Sequence, residues 1–142
     1  MKKSIIIFSI ALIIVLITGC KTTQTANITK ESLAGSNWQL LSVMGKEVSS
    51  ADYAKGLPDA AFGSDDRISG NGGCNRYSGS YTLEENGTIT FGTMISTKMF
   101  CLGGGETEFM KTIAQVTAAK IEGGNLVLSN AGTKLLIFKP KK

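Results

Sequence analysis

The sequence predicts an α+β domain, mostly antiparallel β-sheet with one α-helix. Short β-rich runs are separated by Gly and Asn at close intervals, and only two prolines occur in the whole chain. That punctuation is typical of antiparallel hairpins. A single stretch near residue 110 instead carries apolar residues at helical spacing.

The N-terminus has the pattern of a bacterial lipoprotein signal peptide. Lys2 and Lys3 precede the apolar run 5–17, and Cys20 follows a glycine. We expect residues 1–19 to be removed and Cys20 to be lipidated. An uncleaved single-pass anchor is the competing interpretation. It is disfavoured because the run is shorter than the roughly 20 residues of a membrane span and Lys21 follows at once.

This leader predicts an exported protein of the cell envelope, attached to the membrane through Cys20. Lys21 stands where many inner-membrane lipoproteins of enteric bacteria have aspartate, which favours the outer membrane over the inner. Residues 20–32 are polar and are expected to form a flexible tether. Removal of 19 of the 142 residues leaves 123, enough for one domain, which we place at 33–142.

Eight runs have the β-branched and aromatic content, and the flanking turn residues, that predict strands. They are residues 37–43, 60–62, 67–69, 76–83, 88–97, 119–121, 126–129 and 134–138.

Cross-strand chemistry predicts the register of the middle hairpin. A two-residue Asn86-Gly87 turn would place Leu83 opposite a threonine. A three-residue loop, 85–87, with Gly87 in the left-handed conformation instead pairs Leu83 with Ile89, Tyr81 with Phe91 and Tyr77 with Ile95. We expect the second register, with a bulge at Gly92-Thr93.

The helix is predicted over residues 106–117. Phe109, Ile113 and Val116 recur at i, i+4 and i+7 and form one apolar stripe. Glu106 and Glu108 lie in the first turn, where negative charge favours the positive end of the helix dipole.

Composition excludes several classes of function. The chain has no histidine, which removes Ser-His-Asp and Cys-His catalysis and histidine-based zinc sites. Lysines and arginines are scattered, so no basic stripe predicts a nucleic-acid partner. Asp65-Asp66 lacks the alternating oxygen ligands of a calcium loop. We expect no catalytic residue, no metal and no cofactor.

Cys74 and Cys101 remain once Cys20 is assigned to lipid. In an oxidising compartment two thiols in a small domain usually form a disulfide, worth roughly 3 to 4 kcal/mol for a loop of this length. Two unrelated buried thiols, or half of a metal site, are the alternatives.

Three segments resemble the META domain family, whose members include heat-shock lipoproteins. They are LAGSNWQL at 33–40, GNGGCNRYSGSY at 70–81, and TKMFC at 97–101 followed by ETEF at 106–109. The resemblance covers nearly all of residues 33–138. Phe100 is a departure, because the family usually has a small residue there.

The resemblance implies a curved antiparallel sheet or partly open β-barrel packed against one helix, and it brings no catalytic residue. Within the central segment Asn75 is expected to brace a turn through backbone bonds, and Arg76 to hold a carboxylate such as Asp65 or Asp66. Asn75 and Arg76 are also the candidates for contact with a ligand or partner.

Our hypothesis is a non-enzymatic binding or chaperone-like domain, acting in envelope stress tolerance or in assembly of envelope components through an unknown envelope protein or ligand. A lysozyme or protease inhibitor is one alternative, and a carrier of an apolar ligand inside the barrel is another.

Overall fold

The computed structural model describes residues 25–26 and 28–141, in which an antiparallel sheet curves into a nearly closed barrel with one main helix packed against it. The α+β class predicted from the sequence is confirmed. The helices are α1 (Lys30–Ala34) and α2 (Gly105–Ile113), with a 3₁₀ turn at Ser50–Asp52. The strands are β1 (Thr25–Ala26), β2 (Asn37–Val43), β3 (Lys46–Glu47), β4 (Asp59–Phe62), β5 (Arg67–Asn71), β6 (Arg76–Leu83), β7 (Ile89–Phe91), β8 (Ile95–Ser96), β9 (Ala118–Glu122), β10 (Asn125–Asn130) and β11 (Thr133–Pro140).

The strand order is β1-β9-β10-β11-β2-β4-β5-β6-β7, with β3 paired to β2 and β8 paired to β6. The residues at the start of β7 pair with the residues at the start of β9, through an antiparallel bridge between Thr88 and Ala118. The Ile89 N–H donates to the Thr117 carbonyl at 3.0 Å, and the Ala119 N–H donates to the Gly87 carbonyl at 2.8 Å. These bonds nearly close the barrel and cover strand edges that would otherwise be unpaired.

The barrel interior is filled by side chains from the inward positions of the strands and from α2. Tyr77 and Tyr81 point inward from β6, where they alternate with outward polar residues. Phe109 of α2 lies between Tyr77 and Phe138, with ring centroids at 5.8 and 6.3 Å. Phe109 and Phe138 are fully buried, so burial of these rings supplies much of the hydrophobic stabilisation of a small domain.

Helix α2 contains Phe109 and Ile113 of the predicted stripe but ends before Val116, earlier than predicted. Phe109, Ile113 and Val116 are all buried, whereas the helix stops at Ile113 rather than near residue 117. The Thr117 N–H donates to the carbonyl of Ser129 at 2.9 Å. The helix ends there because the backbone that follows it is hydrogen-bonded to the sheet next to β9.

The hairpin of β6 and β7 has the predicted register, with Leu83 opposite Ile89 and Tyr81 opposite Phe91. Gly87 has φ +87°, in the left-handed region. The third predicted pair is wrong, because Ile95 lies opposite Ser78 and not Tyr77. One extra residue between β7 and β8 shifts the register, which is the effect of a bulge in residues 92–94, and it divides the strand predicted over 88–97 into two.

The folded domain begins before the predicted boundary at residue 33. Ile28 is buried in the core, and Thr29 caps α1 in a reciprocal capping box with Ser32. β1 pairs with β9. The predicted signal peptide, Cys20 and most of the tether lie outside the described residues. Within residues 25–26 and 28–141, the helices are all too short or too polar to cross a membrane.

Candidate functional site: a fixed apolar loop beside a polar cleft

Asn75, in the turn between β5 and β6, lies at the centre of a hydrogen-bond cluster. Its amide nitrogen donates to the Met99 carbonyl at 3.1 Å and to Glu106 Oε2 at 2.8 Å. Its Oδ1 accepts the Met99 N–H at 2.7 Å and the Thr97 hydroxyl at 2.9 Å. These four bonds use both donors and both lone pairs of the amide. Asn75 is buried, so it is positioned to brace the structure and not to contact a ligand.

Glu106, in the first turn of α2, completes this cluster from the opposite side. Its Oε1 accepts the backbone N–H of Asn75 at 2.6 Å. A carboxylate at this end of a helix is also stabilised by the helix dipole. A β-carbon on Gly72 would lie 2.8 Å from Oε1 of Glu106, so glycine at that position lets the carboxylate approach the turn.

Gly73 is required for two reasons. Its φ is +107°, which side chains rarely adopt, and a β-carbon there would lie 2.2 Å from the ring of Tyr53. Its carbonyl accepts the N–H of Lys55 at 2.8 Å. Gly72 and Gly73 of the central motif thus allow Glu106 and Tyr53 to pack closely against the turn.

The structure joins Cys74 and Cys101 in a disulfide, with 6.1 Å between the α-carbons. Cys74 is buried beside Asn75. The disulfide and the Asn75 amide therefore attach the segment around Met99 and Cys101 to the β5–β6 turn at two nearby points.

Between and beside these attachments, residues 98–103 form what we call the apolar loop. Phe100 is 91% exposed, Leu102 is 81% exposed and Met99 is 45% exposed. Large apolar side chains are seldom presented together on an isolated surface, and such patches mark interaction sites. A hollow of about 260 Å³ lies beneath them, between the loop, Tyr53 and Glu106.

Arg76, at the start of β6, points outward into a polar cleft that we define by its rim of Lys55, Arg76, Lys141 and Asp59. The cleft has a volume of about 500 Å³. The expected ion pair of Arg76 with Asp65 or Asp66 is wrong. In the β5–β6 register Arg76 lies opposite Asn71, so those aspartates are at the other end of the hairpin, where Asp66 pairs with Lys30.

The buried tyrosines have structural partners. Burial raises the pKa of Tyr77, whose hydroxyl donates to the Asp59 carbonyl at 2.8 Å. Burial also raises the pKa of Tyr81, whose hydroxyl donates to the Gly63 carbonyl at 2.9 Å. Both hydroxyls therefore remain protonated donors at neutral pH. Among residues 25–26 and 28–141, no three Cys, Asp or Glu side chains converge as metal ligands do.

Sequence reasoning missed Glu106 as the partner of Asn75 and missed Lys55 and Lys141 on the cleft. The contact between Asn75 and Glu106 joins residues 31 positions apart, and no local pattern indicates it. The polar residues of β2 did carry a signal, because Asn37 and Gln39 alternate with inward Trp38 and Leu40 and so face the cleft side of the sheet.

The comparisons with known proteins agree on the family. The META domain profile matches residues 31–142. The chain is 35% identical over 101 residues to heat shock protein HslJ of Escherichia coli strain K12, an alignment that covers 71% of this chain and 69% of the relative.

Solved structures share the architecture. One NMR structure is 32% identical and has a TM-score of 0.65, covering 80% of this chain and 95% of its own. An NMR structure from Burkholderia xenovorans is 22% identical with a TM-score of 0.61, covering 88% and 97%. A DUF4847 family protein from Bacteroides vulgatus is 17% identical with a TM-score of 0.58, covering 80% and 97%. The last two show the fold alone.

Proposed function

The chain belongs to the META domain family, and from that premise we propose that it is a lipid-anchored binding domain of the bacterial cell envelope. We place it among proteins of stress tolerance or envelope assembly, and we assign it no enzymatic activity. The signal pattern ending at Cys20 supports the location. The relative that is named a heat shock protein supports the stress role.

The observation that carries a binding role is the exposure of Phe100 and Leu102 on a backbone that is already fixed. Burial of such a side chain in a partner contributes about 1.5–3 kcal/mol. The disulfide at Cys101 and the Asn75 amide hold the loop on both sides of Phe100. Binding therefore requires little further ordering of the loop. A larger share of the free energy gained by burying these side chains then contributes to the affinity.

The occupant that we propose is an apolar segment of another envelope protein, exposed before folding or assembly is complete. The charges at the loop are of both signs, since Lys98 belongs to the loop and Asp52 and Glu106 line the hollow beneath it. A mixed polar rim around an apolar centre is the usual composition of a protein–protein contact, whereas an anionic membrane surface attracts segments of uniform positive charge.

Site-specific photocrosslinking in intact cells tests this proposal. A photoreactive residue is placed at Leu102, and a control is placed at the exposed Lys46 of β3. We expect discrete protein adducts from position 102, enriched after heat shock, and none from position 46. Phe100→Ser should remove them, whereas Met44→Ser, which changes another exposed apolar residue, should not.

Equal adducts from both positions would contradict the proposal, as would adducts from position 102 that contain only lipid. The anchor is tested separately by metabolic labelling with palmitate. We expect the label in the wild-type protein and none after Cys20→Ser. Label that persists after this change would contradict lipidation at Cys20.

An inhibitor is the second candidate, because a protruding loop held by a disulfide also fits the active-site cleft of an enzyme. Inhibition of lysozyme or of a protease by the purified protein, lost in Phe100→Ser, would favour this function over the first. The filled interior around Tyr77, Phe109 and Phe138 disfavours the apolar-ligand carrier, since these rings occupy the space that a ligand would need.

A further inference from the structure

The outer face of the sheet has a second feature, the polar cleft, which lies beside the apolar loop. It is hollow because its floor residues are small and its rim residues are long. Ala61 of β4 and Ser69 of β5 lie opposite each other in register and form the floor. The rim is formed by Lys55, Arg76, Lys141 and Asp59. A volume of about 500 Å³ is within the range of small-molecule sites.

The charges on the rim are unbalanced. Asp59 is the one carboxylate on the cleft lining, and its oxygens are already occupied. Its Oδ1 accepts the backbone N–H of Asn71 at 2.9 Å, and its Oδ2 pairs with Lys141 at 2.7 Å. Two cations remain. Among the described residues Arg76 has no ion-pair partner, and Lys55 reaches only the sulfur of Met99, at 3.4 Å.

The rest of the lining offers neutral hydrogen-bonding groups. Asn37 and Gln39 of β2 face the cleft beside Ser69. Amide and hydroxyl side chains of this kind bind hydroxyl groups by both donating and accepting. A guanidinium and an ammonium beside them match a phosphate, for which arginine has a two-pronged donor geometry.

We propose that this cleft binds a phosphorylated polyol, with the phosphate between Arg76 and Lys55 and the hydroxyl groups over Asn37, Gln39 and Ser69. Such a group occurs both in free phosphorylated sugars and in the glycerol phosphate headgroup of a phospholipid. The cleft and the apolar loop touch where the Lys55 ammonium reaches the sulfur of Met99, but their proposed ligands are bound by different side chains, so the site does not rest on the proposed partner binding.

Calorimetric and NMR titration of the purified protein with glycerol 3-phosphate, glucose 6-phosphate and neutral glucose tests the site. We expect saturable binding of the phosphorylated probes, with amide shifts in residues 55–61, 69–76 and 141, and no such binding of glucose. Arg76→Ala should weaken binding about tenfold or more, as expected for loss of a charge-assisted pair. Lys46→Ala, at an exposed lysine of β3, should leave it unchanged.

Two further arms keep the result interpretable. Ser69→Gln fills the floor without a change of charge and should abolish binding while the protein stays folded by circular dichroism. Vesicles containing phosphatidylglycerol should bind and compete with glycerol 3-phosphate if the headgroup is the source. Failure to bind vesicles together with tight binding of glucose 6-phosphate assigns the site to a free sugar phosphate. Equal binding of glucose, or equal weakening by Arg76→Ala and Lys46→Ala, overturns the proposal.

Discussion

Replacement of Asn75 by alanine removes the bonds that hold the apolar loop to the β5–β6 turn. Four side-chain hydrogen bonds are lost, three to Thr97 and Met99 and one to the Glu106 carboxylate. Thr97 and Met99 are exposed, so water replaces their partner and each of those bonds contributes near the lower limit, about 0.5 kcal/mol. The bond to a charged group contributes about 1.5 kcal/mol.

The expected loss in the free energy of unfolding is therefore about 3 kcal/mol, a large share of the 5–15 kcal/mol typical of a domain. Urea denaturation followed by fluorescence of the single tryptophan measures it as a lower midpoint at unchanged slope. Asn86→Ala is the matched control. Asn86 is exposed, accepts one backbone N–H within its own turn and donates a long bond, 3.4 Å, to the exposed Glu84. Because water replaces both partners, its loss should stay below about 1 kcal/mol.

Asn75→Asp distinguishes bonding from packing, because the carboxylate has nearly the same shape as the amide. It cannot donate to Glu106, whose Oε2 lies 2.8 Å from the present nitrogen, and two negative charges would face each other. We expect a larger loss than for alanine at neutral pH. Part of it should return on acidification, since protonation of either carboxyl removes the repulsion. A loss no greater than that of Asn86→Ala for both variants would refute the structural role of Asn75.

Three further predictions concern stability. Reduction of the disulfide, which joins residues 27 positions apart, should lower the free energy of unfolding by about 3–4 kcal/mol in urea titrations with and without reductant; an unchanged midpoint would contradict this. Gly73→Ala should destabilise the protein more than Gly124→Ala, because both glycines have positive φ but only Gly73 would clash; equal thermal midpoints would show that the clash is relieved. Burial raises the pKa of Tyr77 above its ordinary 10.0, so the unfolded chain loses this proton first and the free energy of unfolding should fall above about pH 10. Tyr77→Phe should make the fall of that free energy with pH less steep by about 1.4 kcal/mol per pH unit; an identical slope would contradict the assignment.

Long strands and the helix stripe were predictable because their patterns are local. β2 and β6 have the bounds that alternation predicts. The two-residue strands β1 and β3 were not predicted, since two residues carry no periodicity. α1 was missed although Thr29 and Ser32 carry a capping signal, because the polar composition around them is also typical of a tether.

The site was less predictable than the fold, for a physical reason. The turn at Asn75 is held by Glu106 and Met99, and neither contact can be inferred from spacing along the chain. The carboxylates predicted to pair with Arg76 are close to it in sequence. In the β5–β6 hairpin, however, Arg76 lies at one end and those carboxylates lie at the other, five residue pairs away. Its actual neighbour on the cleft rim, Lys141, is near the C-terminus and arrives there because β11 pairs with β2.

The residues that carry the family resemblance are occupied by internal contacts. Gly72 and Gly73 allow close approach of Glu106 and Tyr53, and Asn75 has no free bonding atom. The motif therefore specifies the shape of the turn and the path of the apolar loop. The side chain that this path presents, Phe100, departs from the small residue that the resemblance leads one to expect at that position. It follows that a shared motif can present different binding surfaces. Phe100→Ala should accordingly abolish partner binding and leave the urea midpoint unchanged. Asn75→Ala should lower both the affinity for the partner and the urea midpoint.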